Sequence, residues 1–190
     1  MRRPLIILAA LALAAVLVVG ILQTSGNDGS EGQAPSAAEA AKQLEGSPPV
    51  LAALHDDANR LLPVDGFSDR LKALRGYPVV VNIWGSWCNP CREEFPILQE
   101  VSASFGKRVA FLGLGWQDPA ESAEKFLSKH PVSYPTYTDF QGQIAKGTYG
   151  ILGAPATAFY DAKGHKTYFH QGRYESVEDL EKDIRRYALG

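Results

Sequence analysis

The chain opens with Arg2 and Arg3, followed by an uncharged, almost wholly apolar run from Pro4 to Leu22; the next charge is Asp28. As a helix these residues would span about 29 Å, close to the ~30 Å hydrocarbon core of a bilayer. The apolar part of a cleaved signal peptide is usually shorter, ~7 to 15 residues. The pattern therefore predicts an uncleaved transmembrane anchor over residues 4–22, with a long cleaved signal as the alternative. No cysteine follows the run, which excludes a lipoprotein anchor. The two arginines place the N-terminus in the cytoplasm and everything after Leu22 on the extracytoplasmic side, periplasmic or cell-surface.

Residues 23–49 are rich in Gly, Ser, Ala and Pro and hold no aromatic residue, which predicts a flexible linker with room for a short helix at Ala37 to Leu44. The first aromatic is Phe67, so the core is expected downstream, within a domain over 50–190. Leu51, Leu54, Ala58 and Leu61 recur at helical spacing after Ser47-Pro48 and predict a helix ending before Pro63. Phe67, Leu71 and Leu74 predict a second, closed by Gly76. The β-branched run Val79 to Trp84 reads as a central strand buried on both faces. A helix across Pro96 from Asn89 to Phe105 follows, then a strand from Arg108 to Gly115 and a helix from Pro119 to Lys129. A short helix near Gln143 to Tyr149 precedes a hairpin of Ala156 to Asp161 with Lys166 to Gln171, and a last helix is capped by Ser176 and Asp179. This order is that of an α/β domain with a mixed central sheet flanked by helices.

Composition narrows the function classes. Of 190 residues, 45% are hydrophobic and 21% charged, which suits one packed domain and excludes a disordered chain. Nineteen Lys and Arg stand against 21 Asp and Glu, a net charge of -2, so no basic field exists to hold a phosphate backbone and nucleic acid is a poor partner. The 2 cysteines are too few for a disulfide scaffold or a thiolate-only zinc site.

Those two cysteines lie in Trp84-Gly85-Ser86-Trp87-Cys88-Asn89-Pro90-Cys91, where the predicted buried strand turns into a helix. A helix N-terminus presents unpaired N–H groups and the positive end of a dipole, which stabilise a thiolate and lower its pKa. Cys88, at the start, gains most and is the candidate nucleophile; Cys91, one turn deeper, is the candidate resolving thiol. As a mere staple the pair would close too short a loop to remove much unfolded-chain entropy. A resident metal would need further ligands, and none of the histidines forms a spaced pair near the motif. No metal or other cofactor is expected.

The stretch Val80-Val81-Asn82-Ile83-Trp84-Gly85-Ser86-Trp87-Cys88-Asn89-Pro90-Cys91-Arg92-Glu93-Glu94-Phe95-Pro96, with Gly153-Ala154-Pro155-Ala156-Thr157, resembles the thioredoxin superfamily and, within it, the membrane-anchored TlpA/ResA-like thiol-disulfide oxidoreductases. The resemblance covers roughly Gly76 to the C-terminus and implies a thioredoxin-like fold. It implies that Pro155 follows a cis bond and faces the cysteines, with Ala154 and Pro155 docking the substrate backbone. Trp87, Asn89 and Pro90 would complete the docking surface. Cytoplasmic thioredoxins carry a buried aspartate where this chain has Asn82, which cannot titrate. Glu94 matches an acidic position that the TlpA/ResA-like branch uses in its site; the competing reading is a solvated Glu94 that, with Glu93, only complements the helix dipole.

The resemblance further implies protein thiols and disulfides as partners, a membrane thiol-reductant donor, and a reductant's role, often towards apocytochrome c. An oxidant that introduces disulfides into exported proteins is the alternative. A copper carrier is a third reading, since paired thiolates are soft ligands, but Met1 is the chain's one methionine.

Overall fold

The computed structural model describes residues 34–190; the apolar run 4–22, expected to be an anchor, lies outside them. Among the described residues no helix is long and apolar enough to cross a membrane. Helices α1 (Ala37–Leu44) and α2 (Pro49–His55) lead into strand β1 (Leu61–Pro63), a 3-10 turn and helix α3 (Phe67–Ala73). Strand β2 (Val79–Trp84) then enters the long helix α4 (Asn89–Phe105). Next come β3 (Ala110–Trp116), α5 (Ala120–Leu127), β4 (Thr136–Asp139), β5 (Ala156–Tyr160), β6 (Lys166–Gln171), α6 (Val177–Asp183) and a terminal π-helical turn, Ile184–Ala188. This is the mixed α/β sheet of a thioredoxin-like fold.

The six strands lie in the order β1-β4-β3-β2-β5-β6. Strands β1, β4, β3 and β2 run parallel to one another, β5 is antiparallel to β2, and β6 is antiparallel to β5. Strand β2 is therefore interior and buried along its whole length, as its unbroken apolar run requires. Its side chains alternate between two cores. Val80 and Trp84 pack with Phe95, Leu98, Phe126 and Phe159 on the α4 face, whereas Val79, Val81 and Ile83 pack with Leu51, Leu54 and Phe67 on the other.

Three departures from the sequence reading have local causes. The helix expected to run through Leu61 stops at His55, because Asn59 adopts a left-handed φ of 62°. The Asn59 side chain ties the turn to Leu127 and Val132, and Leu61 to Pro63 then pair with β4. Strand β4 went unpredicted: its four residues, Thr-Tyr-Thr-Asp, carry no apolar run. Residues 143–149 make helical-type bonds from Lys146, Gly147 and Thr148 but form turns, not a regular helix. Within the stretch read as linker, α1 is ordered by a capping box between Ser36 and Glu39 and buries Ala40 and Leu44.

Candidate active site

Trp84 ends β2 and Asn89 begins α4, so four residues carry the chain from the middle of the sheet to a helix N-terminus. Gly85 lets that loop fold tightly, since a Cβ there would stand 2.6 Å from the Trp87 indole nitrogen. The loop is anchored from β3: the Ser86 hydroxyl donates to Asp118 at 2.7 Å, the Ser86 N–H donates to the same carboxylate, and the Trp87 indole N–H donates to the Trp116 carbonyl at 3.3 Å. Trp87 stands edge-on to Trp116 and is 51% exposed. Buried Asp118 carries no sequence signal; only the register of β3 beside β2 brings it to the loop.

Cys88 is the N-cap of α4 and is joined to Cys91 in a disulfide. The Cys91 backbone N–H donates to the Cys88 sulfur at 3.1 Å, the interaction that would stabilise a Cys88 thiolate after reduction. Cys88 is 3% exposed and Cys91 fully buried. Their order of depth follows the sequence reading, but Cys88 is more recessed than a solvent-facing nucleophile, with Trp87 before it and exposed Asn89 and Pro90 after it.

Antiparallel pairing sets Ile83 opposite Ala156, so the segment before β5 lies at the same end of the sheet as the cysteine loop. There the Ala154–Pro155 peptide bond is cis, Pro155 is buried and Ala154 half-buried. The Gln171 amide on β6 donates to the Gly153 carbonyl at 2.7 Å and holds this loop in place.

Glu94, one turn beyond Cys91, is fully buried. Its carboxylate accepts the Tyr174 backbone N–H at 2.9 Å and the Asn82 amide at 3.2 Å. Burial pushes its pKa up to about 7, against the opposing effects of those two donors and of the Arg173 charge. Glu93, by contrast, is exposed and pairs with Arg173. Tyr174 was not legible as a site residue, because its part is played by its backbone. Among the described residues, no cluster of three or more His, Cys, Asp or Glu is placed to hold a metal ion.

A disulfide caps a helix, a cis-proline loop lies at the same sheet end, and a buried carboxyl sits one turn below. The AhpC/TSA family pattern matches residues 60–168, more than half of the chain. The chain belongs to the AhpC/TSA family. Among its relatives, the thiol-disulfide oxidoreductase ResA of Geobacillus kaustophilus is 30% identical over 125 residues, covering 65% of this chain and 71% of that protein. The thiol:disulfide interchange protein DsbE of Xylella fastidiosa is 32% identical over 123 residues, covering 64% of this chain and 57% of its own length. A secreted disulfide oxidoreductase of Mycobacterium tuberculosis superposes with a TM-score of 0.55 at 26% identity, covering 60% of this chain and 85% of that one. Within the AhpC/TSA family this protein is thus a thiol-disulfide oxidoreductase of the ResA/DsbE type, and Cys88 and Cys91 are its two cysteines.

Proposed function

We propose that this protein is a membrane-anchored, extracytoplasmic reductant of protein disulfides. The observation that carries the reading is the buried Glu94, its pKa near 7, one helical turn from the fully buried Cys91. A deep thiol with a nearby carboxyl that titrates near neutrality suits the resolving step of disulfide exchange. In the reduced protein the Cys88 thiolate attacks a substrate disulfide, forming a mixed disulfide and releasing one substrate thiolate. Cys91 then passes its proton to Glu94 and attacks the Cys88 sulfur. The Cys88–Cys91 bond forms, the substrate's second sulfur leaves as a thiolate and takes a proton from water, and the substrate departs with two more electrons than it brought. A membrane thiol donor returns those electrons to Cys88–Cys91.

Trp87, Asn89, Pro90, Ala154 and Pro155 frame the disulfide and dock the substrate chain. Support comes from the exposure of the first three around a nearly buried Cys88 and from the shared sheet end of the two loops. Export is supported by Arg2-Arg3 ahead of the apolar run 4–22 and by the secreted Mycobacterium relative. Reduction of apocytochrome c before haem attachment fits this location and direction. The reduction potential of the Cys88–Cys91 couple tests the direction: a value near thioredoxin's ~-270 mV supports a reductant, and one near ~-120 mV, typical of a strong oxidant, overturns it.

A further inference from the structure

A row of polar side chains crosses the sheet beneath α4. Asn82 on β2 is paired with Thr157 on β5 and with Gly113 on β3; Thr157 is paired in turn with His170 on β6, and Gly113 with Thr136 on β4. Directly paired residues point to the same face. That face is the α4 side, because Val80, Trp84, Phe111, Phe159 and Tyr168, two positions along their strands, all pack there. Gly113 keeps the row continuous: a Cβ at that position would lie 2.3 Å from the Thr136 hydroxyl.

Four side-chain atoms of this row, Thr136 Oγ1, Asn82 Oδ1, Thr157 Oγ1 and His170 Nε2, are buried and make no hydrogen bond among the described residues. Folded proteins rarely leave so many buried polar atoms unpaired unless the group serves chemistry or meets internal water. Glu94 joins the row through Asn82, and again through Tyr174, whose N–H it accepts and whose ring stacks on His170 at 4.2 Å. The other groups around the carboxyl are poor proton carriers. Burial raises the pKa of Tyr134 and Tyr174, the Tyr174 phenol is tied to Asp183, and Arg173 is paired with Glu93 and Glu175. Tyr134 and Thr136 end one arm of the row in full burial, whereas His170 on the other arm is half-buried and reaches the domain edge.

On the reading of Glu94 as the acid–base group for Cys91, we propose that Glu94 exchanges its proton with solvent along this row, through the Thr157 hydroxyl and internal water to the His170 imidazole. Paired residues stand about 5 Å apart across each strand step, so a hydroxyl and water span the distance to a ring that can take up a proton on one nitrogen and give one up from the other. Each resolving step then delivers the Cys91 proton to Glu94, and His170 passes one proton to bulk water.

The test is single-turnover oxidation of the reduced full-length protein by oxidised glutathione, followed by tryptophan fluorescence, in dilute non-coordinating buffer and again with imidazole added. His170→Phe keeps a ring against Tyr174, and Thr157→Val removes a hydroxyl that makes no hydrogen bond among the described residues, so both variants should fold. The expected result is that His170→Phe slows the resolving phase about tenfold and imidazole restores it, while Thr157→Val slows it similarly with no rescue, its site being closed to buffer. A His170→Phe protein that resolves at the wild-type rate, or whose slow rate ignores imidazole, overturns the relay. Glu94→Gln separates the two levels: if it slows resolution while His170→Phe does not, only the relay falls, and if it resolves normally, the assignment of Glu94 falls with it.

Discussion

Glu94 lies in the interior, where burial favours its protonated form, the Tyr174 and Asn82 N–H donors favour the carboxylate, and burial is the larger effect. With its pKa raised from the ordinary 4.5 to about 7, its contribution to stability is complete below pH 4.5 and is lost as pH rises through about 7. The loss is about 3 kcal/mol. Denaturant unfolding of the wild type at pH 5 and pH 8 should show it, and Glu94→Gln, which has nearly the same shape, keeps one acceptor oxygen and cannot titrate, should flatten the difference. In activity, Glu94→Gln should shift the pH profile of exchange, while Glu93→Gln, on the exposed side of the same turn, should leave it in place. Equal and negligible effects would reduce Glu94 to a residue of the helix dipole.

At the scale of elements, α1 is part of the folded domain. Leu44 is buried, and its Cδ2 lies 2.5 Å from where a Cβ on Gly106 would stand. Leu44→Ala should therefore cost about 2 kcal/mol in equilibrium unfolding, where a free linker would show no change. Gly113→Ala should cost at least as much, because its Cβ would stand 2.3 Å from the Thr136 hydroxyl and 3.2 Å from the Thr136 Cα, so that turning the hydroxyl away does not clear the backbone. These contacts explain what could and could not be read from sequence. Strand β2, helix α4 and the β5–β6 hairpin announce themselves by β-branched runs, a strand-to-helix cysteine pair and a glycine turn. Strands β1 and β4 do not, since their pairing is made by parallel partners 75 residues apart in sequence, Leu61 with Thr136, and by the left-handed Asn59. The placement of Cys88 at the start of α4, with Cys91 and Glu94 following at three-residue steps along it, was legible from the strand-to-helix motif and helical spacing. The places of Asp118, Tyr174 and His170 were not, because sheet pairing and the loops beyond β3 and β6 bring them there.

For the whole molecule, the proposed function makes the two cysteines, the carboxyl below them and the loops around them one exchange site at one end of the sheet, in a chain whose sequence predicts an N-terminal anchor. The most direct test of that claim is the capture of mixed disulfides in cells by single-cysteine variants, resolved on non-reducing gels. Cys91→Ser should accumulate adducts with exported proteins that dithiothreitol dissolves, because Cys88 still attacks while nothing remains to resolve the product. Cys88→Ser should accumulate few, since its remaining thiol is fully buried. Adducts on Cys88→Ser but not on Cys91→Ser, or none on either, would contradict the account.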